Sequence, residues 1–132
     1  MKTTAKFDNG DYVINGSKCF ISGGSVSDYY LVMCKTNENE ISCLLVEKGT
    51  PGLSFGKLEE KMGWRSSPTT MVMFDNVRVP ERNLINKKGM GFKMAMSALD
   101  GGRINIGSCS LGGAALAFDT AKDYMLGNFY LL

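Results

Sequence analysis

An aromatic side chain and a hydroxyl lie two positions apart at Phe20 and Ser22, with Ile21 between them. An aromatic ring can shield one side of a planar cofactor, and a hydroxyl can donate a hydrogen bond to an atom on which negative charge develops. The same residues have a structural interpretation, in which Phe20 is a core aromatic and Ser22 opens the turn that begins at Gly23. The residues alone leave both interpretations open.

A second group of candidate residues is Asp100, Gly101, Gly102 and Arg103. Asp100 suits the N-cap of a helix, whose free N–H groups and positive dipole end attract polar ligands. The two glycines let a ligand approach closely because they carry no side chain. These properties are compatible with a ligand contact, and the alternative is an ordinary N-cap followed by a surface arginine.

Trp64, the single tryptophan, stands in a Gly63-Trp64-Arg65 run that is followed later by Asp75. An arginine can hold a carboxylate ligand. A turn anchored by a buried indole and an Arg65–Asp75 pair explains the same residues structurally, and this is the interpretation that we favour.

The cysteines do not predict a metal site. The four of them (Cys19, Cys34, Cys43 and Cys109) form no C-x-x-C pair, and the chain has no histidine. A zinc site would need such ligands. Three of the four lie inside apolar runs, so we expect buried free thiols and a reducing compartment.

Charge and hydropathy exclude two classes of partner. The 132 residues include 15 Lys and Arg against 13 Asp and Glu, a net charge of +2, and the charges are scattered along the chain. Proteins that bind nucleic acid gather basic residues into a patch or stripe, so no nucleic-acid partner is expected. No apolar run approaches the length that crosses a bilayer, so no membrane span is expected.

The first 80 residues predict short antiparallel strands in a barrel-like or sandwiched sheet, because apolar residues alternate between turn signals. Asp8-Asn9-Gly10 and Asn15-Gly16 are two tight-turn signals of the hairpin type. The predicted strands cover residues 3–7, 12–14, 19–22, 29–35, 41–47, 53–57, 70–74 and 77–79. We assign residues 1–88 to this β-domain.

After Gly91 the apolar period changes to that of a helix, and residues 89–132 are predicted as the start of a helical domain. Phe92, Ala95, Met96 and Leu99 fall on one helical stripe. The paired glycines 101 and 102 predict a break at residues 100–102, because glycine weakens a helix interior. The apolar end at residues 129–132 has no further domain to pack on, so the chain looks truncated and we expect it to self-associate.

Sequence blocks over most of the chain resemble the acyl-CoA dehydrogenase family. They are YVINGSKCFIS at residues 12–22, GWRSSPT at 63–69, FDNVRVP at 74–80, GMGF at 89–92 and LDGGR at 99–103. Within the family, residues 41–57 and 102–106 are most similar to the isobutyryl-CoA dehydrogenases of valine breakdown. The resemblance implies a mainly β domain between two helical ones, of which this chain carries the middle one and the beginning of the last.

The resemblance also implies a function. Family members use FAD to desaturate an acyl-CoA thioester: a carboxylate removes the α-proton, a hydride passes from Cβ to flavin N5, and an electron-transfer flavoprotein takes the electrons. They are usually homo-oligomers with FAD across a subunit interface. A mitochondrial matrix location follows if the source is eukaryotic and a cytoplasmic one if it is not, although no targeting segment is visible here.

The resemblance implies site residues at the positions of this sequence that match the family's motifs. Phe20, Ile21 and Ser22 match the segment along the flavin ring, and residues 100–103 match the segment beside the acyl chain. The acidic, glycine-rich stretch of the family is expected upstream of Met1, and the catalytic glutamate of most members is expected beyond Leu132. A minority place the base at the position of Gly102, and glycine cannot remove a proton, so no catalytic residue is assigned in this chain.

Two other functions remain open at this stage. The chain can be an inactive fragment that binds flavin, acyl-CoA or other subunits, which flavin absorbance and activity would distinguish. It can also belong to an acyl-CoA oxidase, which shares fold and flavin but passes electrons to oxygen and would produce peroxide.

Overall fold

The computed structural model describes residues 1–127, and its β region is one seven-stranded sheet. The strands are β1 (Thr4–Asp8), β2 (Asp11–Ser22), β3 (Tyr29–Asn37), β4 (Glu40–Glu47), β5 (Leu53–Leu58), β6 (Thr69–Pro80) and β7 (Leu84–Ile85). A 3₁₀ turn over Glu81–Asn83 separates the last two. The predicted fold class, mainly β followed by helix, is confirmed.

Strands follow the order β5-β6-β2-β1-β3-β4-β7 across the sheet. All pairings are antiparallel except that of β1 with β3, which is parallel and consists of the pair Thr4 and Lys35. The prediction of an antiparallel sheet therefore holds with this one exception. β1 is the shortest strand of the sheet interior, and it separates β2 from β3 only near one end.

The hairpin predicted at Asn15-Gly16 is wrong, because β2 runs through this dipeptide to Ser22. The register shifts between the pairs Ile14–Val77 and Gly16–Phe74, so Asp75 and Asn76 of β6 form a β-bulge opposite Asn15. Gly16 has φ +131°, and a Cβ there would lie 2.8 Å from the Cα of Thr3. The facing strand is likewise continuous where two strands were predicted, since the backbone N–H of Asn76 donates to Asn15 Oδ1 at 2.9 Å.

The core lies on one face of the sheet and is formed by alternate residues of the longer strands. Its fully buried members on β2, β4 and β6 include Ile14, Leu44, Val46, Val72 and Val77. Ile21, Leu53, Phe55 and Leu84 pack against this cluster and are partly buried. This apolar face holds the sheet in register, because slipping a strand by one residue would turn its apolar side chains outward.

The helical region is one helix, α1 (Gly91–Gly127), and the break predicted at residues 100–102 is wrong. Paired glycines weaken a helix, but the backbone hydrogen bonds on either side propagate through them because helix growth is cooperative. Asp100 consequently lies within α1 and is not its N-cap. The apolar end at residues 129–132 lies outside the described residues.

Two compact units are present, one over Met1–Ala95 and one from Met96 onward. The part of the second unit that the structure describes is entirely helical, and all of its residues are exposed. The predicted domain boundary between residues 88 and 89 stays a prediction. No helix within residues 1–127 is long and apolar enough to cross a bilayer.

Gly52→Ala should destabilise the protein much more than Gly49→Ala. Both glycines have a left-handed φ, +84° at Gly49 and +86° at Gly52. A Cβ at Gly52 would lie 2.1 Å from the carbonyl oxygen of Asp75, whereas a Cβ at Gly49 would have no other atom within 4 Å. We expect a loss of about 1–2 kcal/mol for Gly49→Ala and at least about 2 kcal/mol more for Gly52→Ala. Urea denaturation measures both, and equal losses would contradict the overlap.

Replacing Gly101 or Gly102 by alanine should strengthen α1. A Cβ at either position meets no atom within 4 Å, and neither glycine has a left-handed φ. Each change should add about 0.5–1 kcal/mol to helix stability because alanine costs less conformational entropy. Circular dichroism during heating should show that both variants retain more helix than the unmodified chain. Lower helicity in both would instead support the break that the sequence predicts.

Candidate functional site

Phe20 lies at a second bulge, near the end of β2. The pairs Lys18–Val72 and Ile21–Thr70 flank it, so two residues of β2 face one residue of β6. Phe20 has φ +56°, which is unusual for a bulky residue, and its ring is 74% exposed. Because the bulge turns the ring outward, the interpretation of Phe20 as a core aromatic is wrong.

Ser22 ends β2 and is exposed. Within residues 1–127 its hydroxyl forms no hydrogen bond. The turn that follows is held by backbone groups instead. Gly23 N–H donates to the carbonyl oxygen of Pro68 at 2.7 Å, and Gly24 N–H donates to that of Ile21 at 3.1 Å. Ser22 therefore precedes the turn but does not stabilise it through its side chain, and its hydroxyl is available to a ligand.

A cavity of about 510 Å³ lies beside this end of β2. Its walls come from β2, β3, β6 and the loop between β2 and β3, and they are mainly apolar. The lining residues are Lys18, Ile21, Ser22, Ser27, Tyr29, Tyr30, Leu31, Val32, Met33, Val72 and Phe74. The Tyr30 hydroxyl lies 2.7 Å from the carbonyl oxygen of Gly24 and 2.8 Å from that of Ser27, and so fixes the loop.

Lys18 is the one charged side chain that lines this cavity. It is half-buried, and burial lowers the pKa of its ammonium group, an effect that the Cys34 thiol opposes. Within the described part of the chain the ammonium forms no hydrogen bond or ion pair. The sequence analysis did not single out Lys18, and its signal is a charged residue placed among the apolar residues of a long strand.

The second predicted group lies on α1. Arg103 Nη1 is 3.4 Å from Asp100 Oδ1, and both side chains are more than two-thirds exposed, at 71% and 74%. An exposed pair of this kind contributes little to stability. The argument for a ligand contact from a helix N-terminus is wrong, because residues 100–103 lie in the helix interior. Their role beside the acyl chain stays a prediction that rests on the matched family positions.

The favoured structural interpretation of the Trp64 turn is wrong. The indole of Trp64 is 69% exposed, so it does not anchor the turn from inside. Arg65 Nε donates to the carbonyl oxygen of Lys61 at 2.9 Å, while Asp75 Oδ1 accepts from the Asn76 amide. Lys61 holds this turn instead, since its ammonium donates to the Ser67 carbonyl oxygen and to Thr69 Oγ1.

Two of the cysteines are buried, Cys34 and Cys43, and two are exposed, Cys19 and Cys109. The expectation that Cys19 is buried with its apolar neighbours is therefore wrong, and the reason is the bulge that it shares with Phe20. Among residues 1–127, no cluster of histidine, cysteine, aspartate or glutamate has the composition of a metal site.

Residues 1–77 match the family described as acyl-CoA dehydrogenase, middle domain. The chain therefore belongs to the acyl-CoA dehydrogenase family. This match covers β1 to β5 and most of β6, including the bulge at Phe20 and the cavity beside it. The membership predicted from the sequence blocks is confirmed.

Matches to individual relatives support this family assignment. The chain is 56% identical over 129 residues to the mitochondrial isobutyryl-CoA dehydrogenase of Dictyostelium discoideum, a match that covers 95% of this chain and 31% of that protein. The structure of butyryl-CoA dehydrogenase from Megasphaera elsdenii matches with a TM-score of 0.86 and 40% identity, over 93% of this chain and 33% of that one.

A third relative is an acyl-CoA dehydrogenase from Bacillus anthracis, solved in complex with FAD. It matches with a TM-score of 0.74 and 33% identity, over 78% of this chain and 18% of that one. The chain spans 31% of the length of the first curated relatives that it matches.

The Cys34 thiol should make stability fall at alkaline pH. Burial, with a smaller contribution from Cys43, raises the pKa of Cys34 from 9.0 to about 11, while Lys18 opposes the rise. Between these values the unfolded thiol has lost its proton and the folded one keeps it, so the free energy of unfolding decreases as pH rises. The decrease due to this group should be about 2–3 kcal/mol.

Urea denaturation across that pH range measures this decrease. Cys34→Val should flatten the slope, and the exposed-site control Cys19→Ser should leave it unchanged. An unchanged slope in Cys34→Val would assign the pH dependence to other groups.

Proposed function

We propose that this chain supplies the flavin-facing β-domain of an FAD-dependent acyl-CoA dehydrogenase. The substrate is a short, branched acyl-CoA such as isobutyryl-CoA, which places the enzyme in valine breakdown. The observation that carries the proposal is the exposed ring of Phe20, held outward by the bulge, next to the exposed side chain of Ser22. The similarity to an isobutyryl-CoA dehydrogenase supports the branched substrate.

The residues fit one wall of a flavin site. An isoalloxazine ring is planar and largely apolar, and it needs hydrogen-bond donors at its polar edge. Phe20 offers an uncovered aromatic face, Ile21 is half-buried against the core behind it, and Ser22 offers a donor at the strand end. When bound, FAD supplies the acceptor for the hydride that leaves the substrate.

Each of these side chains has a separate task in this proposal. Phe20 covers the ring and keeps water from it, and Ile21 holds the strand end to the core. The hydroxyl of Ser22 donates a hydrogen bond where negative charge develops, which lowers the barrier because the donor is already oriented. Residues 100–103, with two glycines that leave space at the backbone, are proposed to lie along the acyl chain.

The proton at the α-carbon is removed by a carboxylate from another part of the enzyme. Gly102 stands at the position that a minority of the family use for the base, and it has no side chain to accept a proton. We propose in addition that the enzyme is a homo-oligomer that passes electrons to an electron-transfer flavoprotein. We place it in the mitochondrial matrix if the source is eukaryotic and in the cytoplasm otherwise.

One observation favours a second function, that of an interaction fragment. From Met96 onward α1 exposes many large apolar side chains, among them Ile104, Leu111, Leu116 and Phe118, which are each about 70% exposed (71%, 73%, 70% and 68%). Apolar surface of this extent usually marks a protein–protein contact. A chain without catalytic activity can therefore still bind through this helix.

Ser22→Ala in the complete dehydrogenase should slow flavin reduction and leave the fold intact. Removing one donor aimed at developing charge typically lowers the rate by 10²–10³, about 3–4 kcal/mol. The side chain is exposed and forms no internal hydrogen bond within the described residues, so stability should not change. Stopped-flow reduction by isobutyryl-CoA measures the rate, with Ser27→Ala as a matched control elsewhere on the cavity wall. Wild-type rates in Ser22→Ala would remove it from the mechanism.

The 132-residue chain by itself should have no dehydrogenase activity and should bind FAD weakly. Tight cofactor sites usually bury about 70–90% of the ligand, and one wall at Phe20–Ser22 leaves most of a flavin in water. The exposed apolar residues of α1 should make the chain self-associate. Visible spectra, an assay with isobutyryl-CoA and an artificial acceptor, and light scattering test this. A yellow, monomeric and active preparation would contradict it, and peroxide production would point to an oxidase.

A further inference from the structure

One side chain closes the loop that follows β2. Residues 23–28 join β2 to β3, and this loop begins directly after Ser22. The Tyr30 hydroxyl lies 2.7 Å from the Gly24 carbonyl oxygen and 2.8 Å from the Ser27 carbonyl oxygen. A hydroxyl has one proton, so the two carbonyl oxygens share it as acceptors. A single group therefore ties together two parts of the loop.

Tyr30 is itself held by the core of the sheet. Its backbone pairs with Val46 of β4, and only 7% of the residue is exposed. Its ring lies 5.7 Å from the ring of Phe55 on β5, with an angle of 36° between the two planes. Close packing of this kind keeps a side chain in one rotamer. The hydroxyl therefore has a defined position beside the loop.

Other groups of the loop are also paired within the chain. The N–H of Ser27 donates to the Gly23 carbonyl oxygen at 2.8 Å. Lys48 supplies two more donors, since its ammonium lies 3.1 Å from the Ser25 carbonyl oxygen and its backbone N–H lies 2.7 Å from the Asp28 carbonyl oxygen. The loop consequently has one defined conformation, in which its carbonyl groups point to donors.

The Tyr30 hydroxyl is the donor that this conformation can least afford to lose. Gly24 is buried, and a Cβ there would lie 2.8 Å from Thr70 Cγ2, so the loop has no room to move closer to β6. A buried carbonyl group without a donor is unfavourable. Without the hydroxyl, the loop regains a hydrogen bond at Gly24 by turning this carbonyl group toward water.

The conformation of the loop determines how the end of β2 is held. Ser22 and Thr69 form the last pair of β2 and β6 at this end, and the N–H of Gly23 donates to the Pro68 carbonyl oxygen at 2.7 Å. The terminal pairs of an element open most easily. A change in the loop acts on Gly23 first and then on Ser22, because the chain is continuous. The direction of the Ser22 side chain therefore depends on Tyr30.

We propose that Tyr30 is a positioning residue for flavin reduction, which acts by holding the Ser22 hydroxyl in the direction that the flavin edge requires. The inference rests on the proposed function, in which Ser22 donates to the ring where negative charge develops. Tyr30 acts only through the loop in this mechanism. A donor stabilises the developing charge best when it is oriented beforehand, so the rate of reduction should change more than the binding of FAD.

Tyr30→Phe in the complete dehydrogenase should slow flavin reduction by isobutyryl-CoA by about tenfold to a hundredfold, since a misplacement of about 1 Å can cost about a hundredfold. Stopped-flow absorbance measures the rate, and the visible spectrum should show as much bound FAD as in the unmodified enzyme. Tyr12→Phe is the matched control. Tyr12 is 4% exposed, and its hydroxyl forms no hydrogen bond within residues 1–127, so this variant should keep the wild-type rate.

The double variant with Ser22→Ala and Tyr30→Phe distinguishes positioning from a general structural effect. If Tyr30 acts through Ser22, the double variant should reduce flavin no more slowly than Ser22→Ala alone, because the group that Tyr30 positions is already absent. A general structural effect would lower the rate by the same factor with and without the Ser22 hydroxyl. That result would overturn the proposal.

Two further results separate this inference from the proposed function. A wild-type rate in Tyr30→Phe, with a slow Ser22→Ala, would overturn the inference and leave the proposed function in place. A wild-type rate in Ser22→Ala would contradict the role of Ser22 and the inference with it. Hydrogen exchange of the unmodified enzyme tests the loop even if Tyr30→Phe does not fold. The Ser27 amide should be protected, and rapid exchange would show that the loop is not held.

Discussion

The antiparallel pairing of β2 with β6 is the constraint on which the rest of the structure depends. Both strands are 12 residues long, and they pair over almost their whole length. Together they supply much of the core, including Ile14, Val72 and Val77. The flavin wall and the cavity both depend on this pair, because Phe20, Ser22 and Lys18 all lie on β2.

Two irregularities in that pairing give the site its form. The first is the bulge of β6 at Asp75 and Asn76, opposite Asn15, next to which β2 passes Thr3 so closely that a side chain at residue 16 would overlap the backbone. The bulge before Ile21 turns Phe20 out of the core and leaves its ring exposed. Bulges cost pairing, and they are retained where a side chain has to be re-aimed. An aromatic ring that is turned toward solvent next to an exposed hydroxyl is therefore consistent with a ligand surface.

The cavity lies beside the irregular end of β2. β1 and β3 share the single pair Thr4 and Lys35, and the ammonium group of Lys18 lines the cavity beside them. Burial on a mainly apolar wall removes part of the hydration of this ammonium group, and within residues 1–127 no hydrogen bond or ion pair replaces it. The proposed flavin wall and the cavity share Ile21 and Ser22, whereas Lys18 lines the cavity and Phe20 does not.

The sequence by itself determined the family, the strand–helix division near Gly89 and most strand positions, because apolar period and turn residues are local properties. It did not determine how Asn15-Gly16 is used, since the same dipeptide suits a hairpin turn or the interior of a strand opposite a bulge, and only the pairing with β6 decides between them. The continuity of α1 through Gly101 and Gly102 depends on cooperative hydrogen bonding over many residues, which the local cost of glycine does not reveal. Tertiary structure decided the exposure of Phe20, Trp64 and Cys19 and the position of Lys18 on the cavity wall, because whether a side chain meets the core depends on strands that are distant in the chain.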